Sequence, residues 1–277
     1  MREILFESKH YSALVFKNET EIAHYAAGIV VNQMKNKPEF LLGLATGSSP
    51  VPFYKELIRE YQAGNISFAK VNTYNLDEYY PIDPTSPQSF LGFMRENLFD
   101  HIDLPEEAIH IPRGNAPDAE EEARRYQREL NRTGGTDIQI LGIGSDGHIG
   151  FNEPGDAFIY DTHVTGLTRQ TIEDNSRFFE DISQVPTKAL TMGIGGIMNA
   201  KMCILIATGK NKAQAIHDAL KCDPTPACQG SVLQFHQNTV FLLMKTPPLC
   251  FNYLFNMKET AITRFLFLPL RAGTLAA

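Results

Sequence analysis

The stretch DIQILGIGSDGHIGFNEP, residues 137–154, decides how this chain folds. Its first half, DIQILGIG, is a continuous apolar run of strand length, the pattern of a strand covered on both faces. Its second half turns on Gly144, Gly147 and Gly150 and sets one imidazole among carboxylates. Upstream, FLLGLA (40–45) runs into TGSSP and then the helical VPFYKELIREYQA (51–63). Downstream, CILIATG (203–209) runs into KNKAQAIHDAL. Strand, small-residue turn and helix therefore recur. That grammar predicts an α/β fold: a doubly wound, mostly parallel sheet with helices on both faces, Rossmann-like.

The flanking segments fit the same plan. Asn18 followed by Glu21 has the form of a capping box, and Ile22, Tyr25, Ala26, Ile29 and Val30 then recur at helical spacing. VNTYNL (71–76) reads as a strand ending at Asp77-Glu78, FLGFMRENLFDHI (90–102) as a helix, and AIHIP (108–112) as a short strand. DAEEEARRYQRELN (118–131) reads as a solvated helix with i,i+4 pairs such as Glu121–Arg125. TVFLLM (239–244) is the last candidate core strand. With no internal repeat and no Gly/Ser-rich linker, residues 1–245 are expected to form one domain. Residues 246–277 mix prolines with apolar clusters without clean periodicity and are expected to be an atypical C-terminal tail.

Composition narrows the function classes. Of 277 residues, 43% are hydrophobic and 10% aromatic, enough for a sizeable core and unlike a disordered chain. Lys and Arg total 25 against 32 Asp and Glu, a net charge of −7. That balance argues against nucleic acid or an anionic membrane surface as the main partner. An anionic ligand must instead be met by a few local donors. No signal-peptide pattern and no apolar run of membrane-spanning length is present, so cytoplasm is the expected location. Cys203, Cys222, Cys228 and Cys250 form no zinc pattern with His217 or His236 and read as free thiols.

In a doubly wound sheet, ligands bind outside the carboxyl ends of the strands. Four such ends carry chemistry here. Thr46, Gly47, Ser48 and Ser49 lie in a turn before Pro50, either as helix capping or as an anion cradle of N–H groups and hydroxyls. Thr208-Gly209-Lys210-Asn211-Lys212 repeats the idea with lysines added, and Lys212 is the candidate phosphate partner. At Asp77-Glu78 adjacent side chains point to opposite faces, so one carboxylate can enter a cleft while the other caps or solvates. The richest end carries Asp146, His148 and Glu153. An imidazole flanked by carboxylates has its orientation fixed and its protonated form favoured, which suits proton transfer near neutral pH. Metal ligation is the rival reading, weakened because no second histidine stands at ligand spacing.

Taken together, LGLATGSSP (42–50), NLDEYYPIDPTSPQSF (75–90), GNAPD (114–118), LGIGSDGHIGFNEPG (141–155), NSRFF (175–179), VPTKALTMGIG (185–195) and SVLQFH (231–236) resemble the glucosamine-6-phosphate deaminase family, in the family's order. Related 6-phosphogluconolactonases share the G-x-D-G-H core but not the F-N-E-P continuation. The resemblance implies conversion of glucosamine 6-phosphate and water to fructose 6-phosphate and ammonia, with no organic cofactor and no metal. It implies that His148, held by Asp146 and Glu153, assists ring opening, and that Asp77 carries a proton from C2 to C1. Ser48, Ser49, Arg177 and Lys212, with the Thr46-Gly47 turn, would hold the phosphate. Two alternatives stand beside it: a galactosamine-6-phosphate deaminase, and a non-catalytic sugar-phosphate-sensing domain. The stretch DTHVT (161–165) lacks the basic pair of allosteric members, so neither effector activation nor the accompanying hexamer is expected, while a homo-oligomer stays open.

Overall fold

The computed structural model describes residues 3–8 and 10–245. The expectation for the tail, 246–277, and Cys250 with it, lies outside those residues. The chain begins with a feature the sequence reading did not anticipate. β1 (Glu3–Glu7) and β2 (Tyr11–Phe16) form an antiparallel hairpin, and β2 buries Ala13, Leu14, Val15 and Phe16. The sequence places the first strand only at FLLGLA. The interspersed charges that hid this hairpin belong to an edge strand, where one side meets water.

α1 (Glu19–Asn36) follows, with Asn18 Oδ1 accepting from the Glu21 amide at 2.9 Å, as the capping pattern predicts. Its apolar stripe, Ile22, Ala23, Ala26, Val30 and Met34 among others, is buried. β3 (Leu41–Leu44), α2 (Val51–Gln62), β4 (Asn72–Asn75), β5 (Asp77–Tyr80), α3 (Phe90–Asn97), β6 (Ile109–His110) and α4 (Ala119–Thr133) come next. Then follow β7 (Ile138–Leu141), β8 (His163–Gly166), α5 (Arg169–Asn175), β9 (Lys188–Thr191), α6 (Ile194–Met198), β10 (Cys203–Ala207), α7 (Ala213–Lys221) and β11 (Thr239–Met244). On α4 the expected Glu121–Arg125 pair is not what forms. Arg125 grips Glu122 and Glu129, at 2.6 Å each, while Glu121 pairs with Arg124 and Arg128 at 3.0 Å. Burial of Glu122 on the inner face draws Arg125 toward the core side of the helix.

The main sheet has eight strands in the order β1-β2-β11-β10-β7-β3-β4-β6, parallel at every pair except β1–β2. The doubly wound α/β expectation is met. β7, the strand of the opening stretch, is fully buried between β10 and β3. The chain builds outward from β3 through β4 to β6, then returns to β7 on the other side of β3 and continues through β10 to β11. The switch point therefore lies between β3 and β7.

A second, three-stranded antiparallel sheet, β5-β9-β8, stands apart from the first. The strand read as ending at Asp77-Glu78 in fact changes sheets there. Leu76 is the joint: its amide donates to Leu44 O at 3.1 Å and its carbonyl accepts from Met192 N at 2.6 Å. Asp77-Glu78 is thus strand, not loop. Tyr79, Phe151, Leu167 and Ala189 form the apolar cluster on this small sheet. No helix among the described residues is long and apolar enough to cross a membrane.

Candidate active site

A cleft of about 610 Å³ opens at the carboxyl ends of β10, β7, β3 and β4, around the switch point. Five of the sequence-predicted segments meet there. Thr46, Gly47, Ser48, Ser49, Asp77, His148, Arg177 and Lys212 all line it. Asp146 and Glu153 are not in the lining; they stand on the imidazole from behind.

At one end lie the two small-residue turns. α2 starts at Pro50 with no side-chain cap hydrogen bond, so the hydroxyls of Ser48 and Ser49 are not consumed in capping. Of the two readings of this turn, the anion cradle is the one its geometry leaves open. Pro50 itself is the N-cap rather than a first-turn residue. Ser49 Oγ lies 3.4 Å from Thr208 Oγ1, which joins the turn after β3 to the turn after β10. Lys212 is half-buried, and burial lowers its pKa against the opposing pull of Asp174 and Asp146. The exposed guanidinium of Arg177 lies 4.7 Å over the Phe178 ring. Local positive charge is thus supplied on a chain that is acidic overall.

At the other end is the turn after β7. His148 Nδ1 lies 2.8 Å from Asp146 Oδ1 and 3.5 Å from Glu153 Oε2. Both carboxylates pair with the imidazole at this nitrogen. Burial alone would lower the imidazole pKa, but the two carboxylates outweigh it and raise it to about 9. Asp146 is pulled the other way: against its own desolvation, the His148 contact takes it to about 2. Glu153 is anchored in turn, accepting from Thr171 Oγ1 at 2.7 Å and from Thr168 N at 3.3 Å. Gly144 makes room for this arrangement. A Cβ there would stand 2.3 Å from His148 Nδ1 and 2.5 Å from Asp146 Oδ1.

Between these ends, Asp77 is 6% exposed and its carboxylate has no hydrogen-bond partner among the described residues. Burial, then the neighbouring Glu78, raise its pKa to about 8, with His148 pulling it down. The alternation on β5 works as the sequence reading required: Asp77 enters the cleft and Glu78 turns away. Glu78 accepts from the amides of Phe90 at 2.8 Å and Leu91 at 3.0 Å, so the capping role considered for the pair falls to Glu78 alone. Phe90 stacks on Phe151 at 5.7 Å, closing the apolar wall.

Sequence reasoning missed Gln88, Thr171, Asp174 and Asn175, which also line the cleft. Asp174 Oδ2 accepts from Ser145 Oγ at 3.0 Å, tying α5 to the turn after β7. The NSRFF motif that identified Arg177 pointed at this segment, but nothing local marked Asp174 or Thr171. Among the described residues, two groups bring three candidate metal donors within 4.8 Å: Asp146–His148–Glu153 and His217–Asp218–Cys222. In the first, the nitrogen that would ligate is the one the carboxylates hold protonated. In the second, Asp218 Oδ1 already serves Gln214, His217 and Cys222. Cys203, Cys222 and Cys228 are free thiols, as expected.

The glucosamine-6-phosphate deaminase of Thermoanaerobacter sp. (strain X514) is 48% identical over 232 residues, 84% of this chain and 92% of its own. A solved structure described as a monomeric glucosamine-6-phosphate deaminase superposes with a TM-score of 0.82 at 42% identity, covering 84% of this chain and 97% of the other. The 6-phosphogluconolactonase of Thermotoga maritima, at 20% identity and a TM-score of 0.66 over 85% of this chain and 100% of the other, shares the fold. The model of the glucosamine-6-phosphate isomerases/6-phosphogluconolactonase family matches residues 17–241, and the chain belongs to that family.

Proposed function

We infer that this chain converts glucosamine 6-phosphate and water to fructose 6-phosphate and ammonia. One observation carries the reading: Asp77 and His148, the latter paired with Asp146 and Glu153, line the same cleft whose far end gathers the two turns, Arg177 and Lys212. The phosphate is held at that far end by Thr46, Gly47, Ser48, Ser49, Arg177 and Lys212. Binding energy spent there, remote from the reacting carbons, positions C1 and C2 between Asp77 and His148.

His148 is cationic at neutral pH because of its two carboxylate neighbours. It gives its proton to the ring oxygen as the C1–O5 bond breaks, and takes back the proton that the anomeric O1 hydroxyl loses, which leaves the open-chain aldehyde. Asp146 and Glu153 hold the ring in place. Asp77 then takes the C2 proton and delivers it to C1. This shift lowers C1 to the alcohol level and raises C2 to an imine, to which water adds and from which ammonia leaves. A carboxylate buried until its pKa is about 8 binds and releases a proton at nearly equal free energy in this pH range, as a shuttle must.

The test is ammonia and fructose 6-phosphate release from glucosamine 6-phosphate, beside the galacto epimer and a no-enzyme control. Faster turnover of the galacto epimer would reassign the substrate. Binding of both esters without ammonia release would make the chain a sensing domain. Asp77→Asn is expected to abolish turnover while phosphate-ester binding persists.

A further inference from the structure

Glu78 is a buried carboxylate that the reaction above does not use. It is 2% exposed, beside the base on β5 but facing the other way. Oε1 accepts from Tyr79 N at 2.9 Å and Phe90 N at 2.8 Å, and Oε2 from Leu91 N at 3.0 Å. The last two are first-turn amides of α3, which have no partner within the helix. The helix already has its own cap, since Ser89 Oγ accepts from Gly92 N at 2.9 Å. A second cap therefore reaches α3 from a strand of the small sheet. What it ties down is a cleft wall: Phe90, Phe93 and Asn97 all line the cavity that Asp77 faces. Phe90 also packs on Tyr79 at 4.5 Å.

A neutral acceptor would make part of this cap without the penalty of a buried charge. The groups that bear on Asp77 narrow what that charge does. They are Glu78 on its own strand, His148 from the turn after β7, and the neutral phenols Tyr54 on α2, Tyr79 on β5 and Tyr126 on α4. Among them Glu78 supplies the second negative charge.

We propose that Glu78 is a positioning residue for the reaction: its carboxylate fastens the α3 wall of the cleft to β5, and its charge acts on the Asp77 carboxylate next to it. The proposal rests on Asp77 being the proton-transfer group. Burial raises Glu78 itself to about 7 against its three amide donors.

The test compares Glu78→Gln, Glu78→Asp and Asp77→Asn in the full chain, following ammonia release against pH together with thermal melting. Glu78→Gln removes the charge and keeps one acceptor oxygen. Its acid limb of kcat/KM is expected to move to lower pH by about half a unit or more, with a lower kcat from the weaker base. Glu78→Asp keeps the charge but is too short to serve both α3 amides. Its acid limb is expected to stay while KM rises. An unmoved acid limb in Glu78→Gln, with only the melting temperature lowered, would overturn the proposal and leave a plain structural cap. If Glu78→Gln does not fold, carboxyl NMR titration of the unaltered protein decides. A two-step Asp77 curve tracking Glu78 supports the coupling, and a single independent step overturns it. Turnover surviving in Asp77→Asn would instead sink the assignment of the base, whatever Glu78 does.

Discussion

Asp77 and His148 both hold their protons more tightly in the folded chain, Asp77 because it is buried and His148 because carboxylates flank it. The Asp77 pKa is raised from 3.8 to about 8, so between those values the folded chain keeps a proton that the unfolded chain has released. Stability from this residue is therefore lost as pH rises toward 8. Asp77→Asn is expected to raise stability at pH 8 by on the order of 2–3 kcal/mol while removing turnover, with little gain near pH 4. Thermal melts at the two pH values check this. His148 runs the same way for a different cause, its carboxylate neighbours: raised to about 9, it contributes stability present below its ordinary 6.5 and lost as pH climbs through 9. Asp146→Asn removes one carboxylate that supports the imidazolium, so the alkaline limb of the rate profile is expected to move to lower pH. At the phosphate end, Lys212→Ala is expected to raise KM about tenfold or more with kcat nearly unchanged, as loss of uniform binding does. Steady-state kinetics separates the two parameters.

Between neighbouring elements, the turn after β7 and helix α5 form one working unit. Glu153 sits behind His148 but is held by Thr168 and Thr171 at the start of α5. Thr171→Val removes the 2.7 Å contact while keeping the shape of the side chain. It is expected to lower kcat several-fold with a smaller change in KM, measured by ammonia release. Gly144→Ala tests the same unit from the other side. Its Cβ would meet His148 Nδ1 at 2.3 Å, inside any allowed contact, so the imidazole must swing away from Asp146. Loss of turnover with circular dichroism unchanged is the expected result. Helix α3 belongs to a second unit with β5, joined by Glu78 and by the Tyr79–Phe90–Phe151 rings. Both units contribute to the lining of the cleft.

Across the whole molecule, stability and chemistry occupy opposite ends of the sheet. Asp137, at the start of β7, accepts from Lys37 at 2.5 Å, Lys201 at 2.7 Å and the Leu41 amide at 2.9 Å. Its side chain is 5% exposed, but both lysines are largely in water, which weakens the charge term. Asp137→Ala is expected to cost about 1–3 kcal/mol, chiefly through the orphaned amide, with kcat/KM of the folded protein unchanged. Urea unfolding beside the ammonia assay checks both. The main-sheet strands β3, β4, β6, β7, β10 and β11, helices α1 to α4 and α7, and the residues at the β3, β7 and β10 ends were legible in the linear chain. Each is carried by a local pattern: an apolar run, a small-residue turn, an amphipathic repeat. The second sheet was not legible, because its four-residue strands are partly exposed and pair across long separations, as Asp77 does with Thr191. For the same reason the sequence alone established that one of Asp77 and Glu78 could face a ligand, and the imidazole-carboxylate group at 146–153. Which carboxylate enters the cleft, that Glu78 caps α3, and that Thr171 and Asp174 join the site depend on the packing of distant segments. Burial and hydrogen bonding between those segments set the outcome, and neither is written in any local stretch.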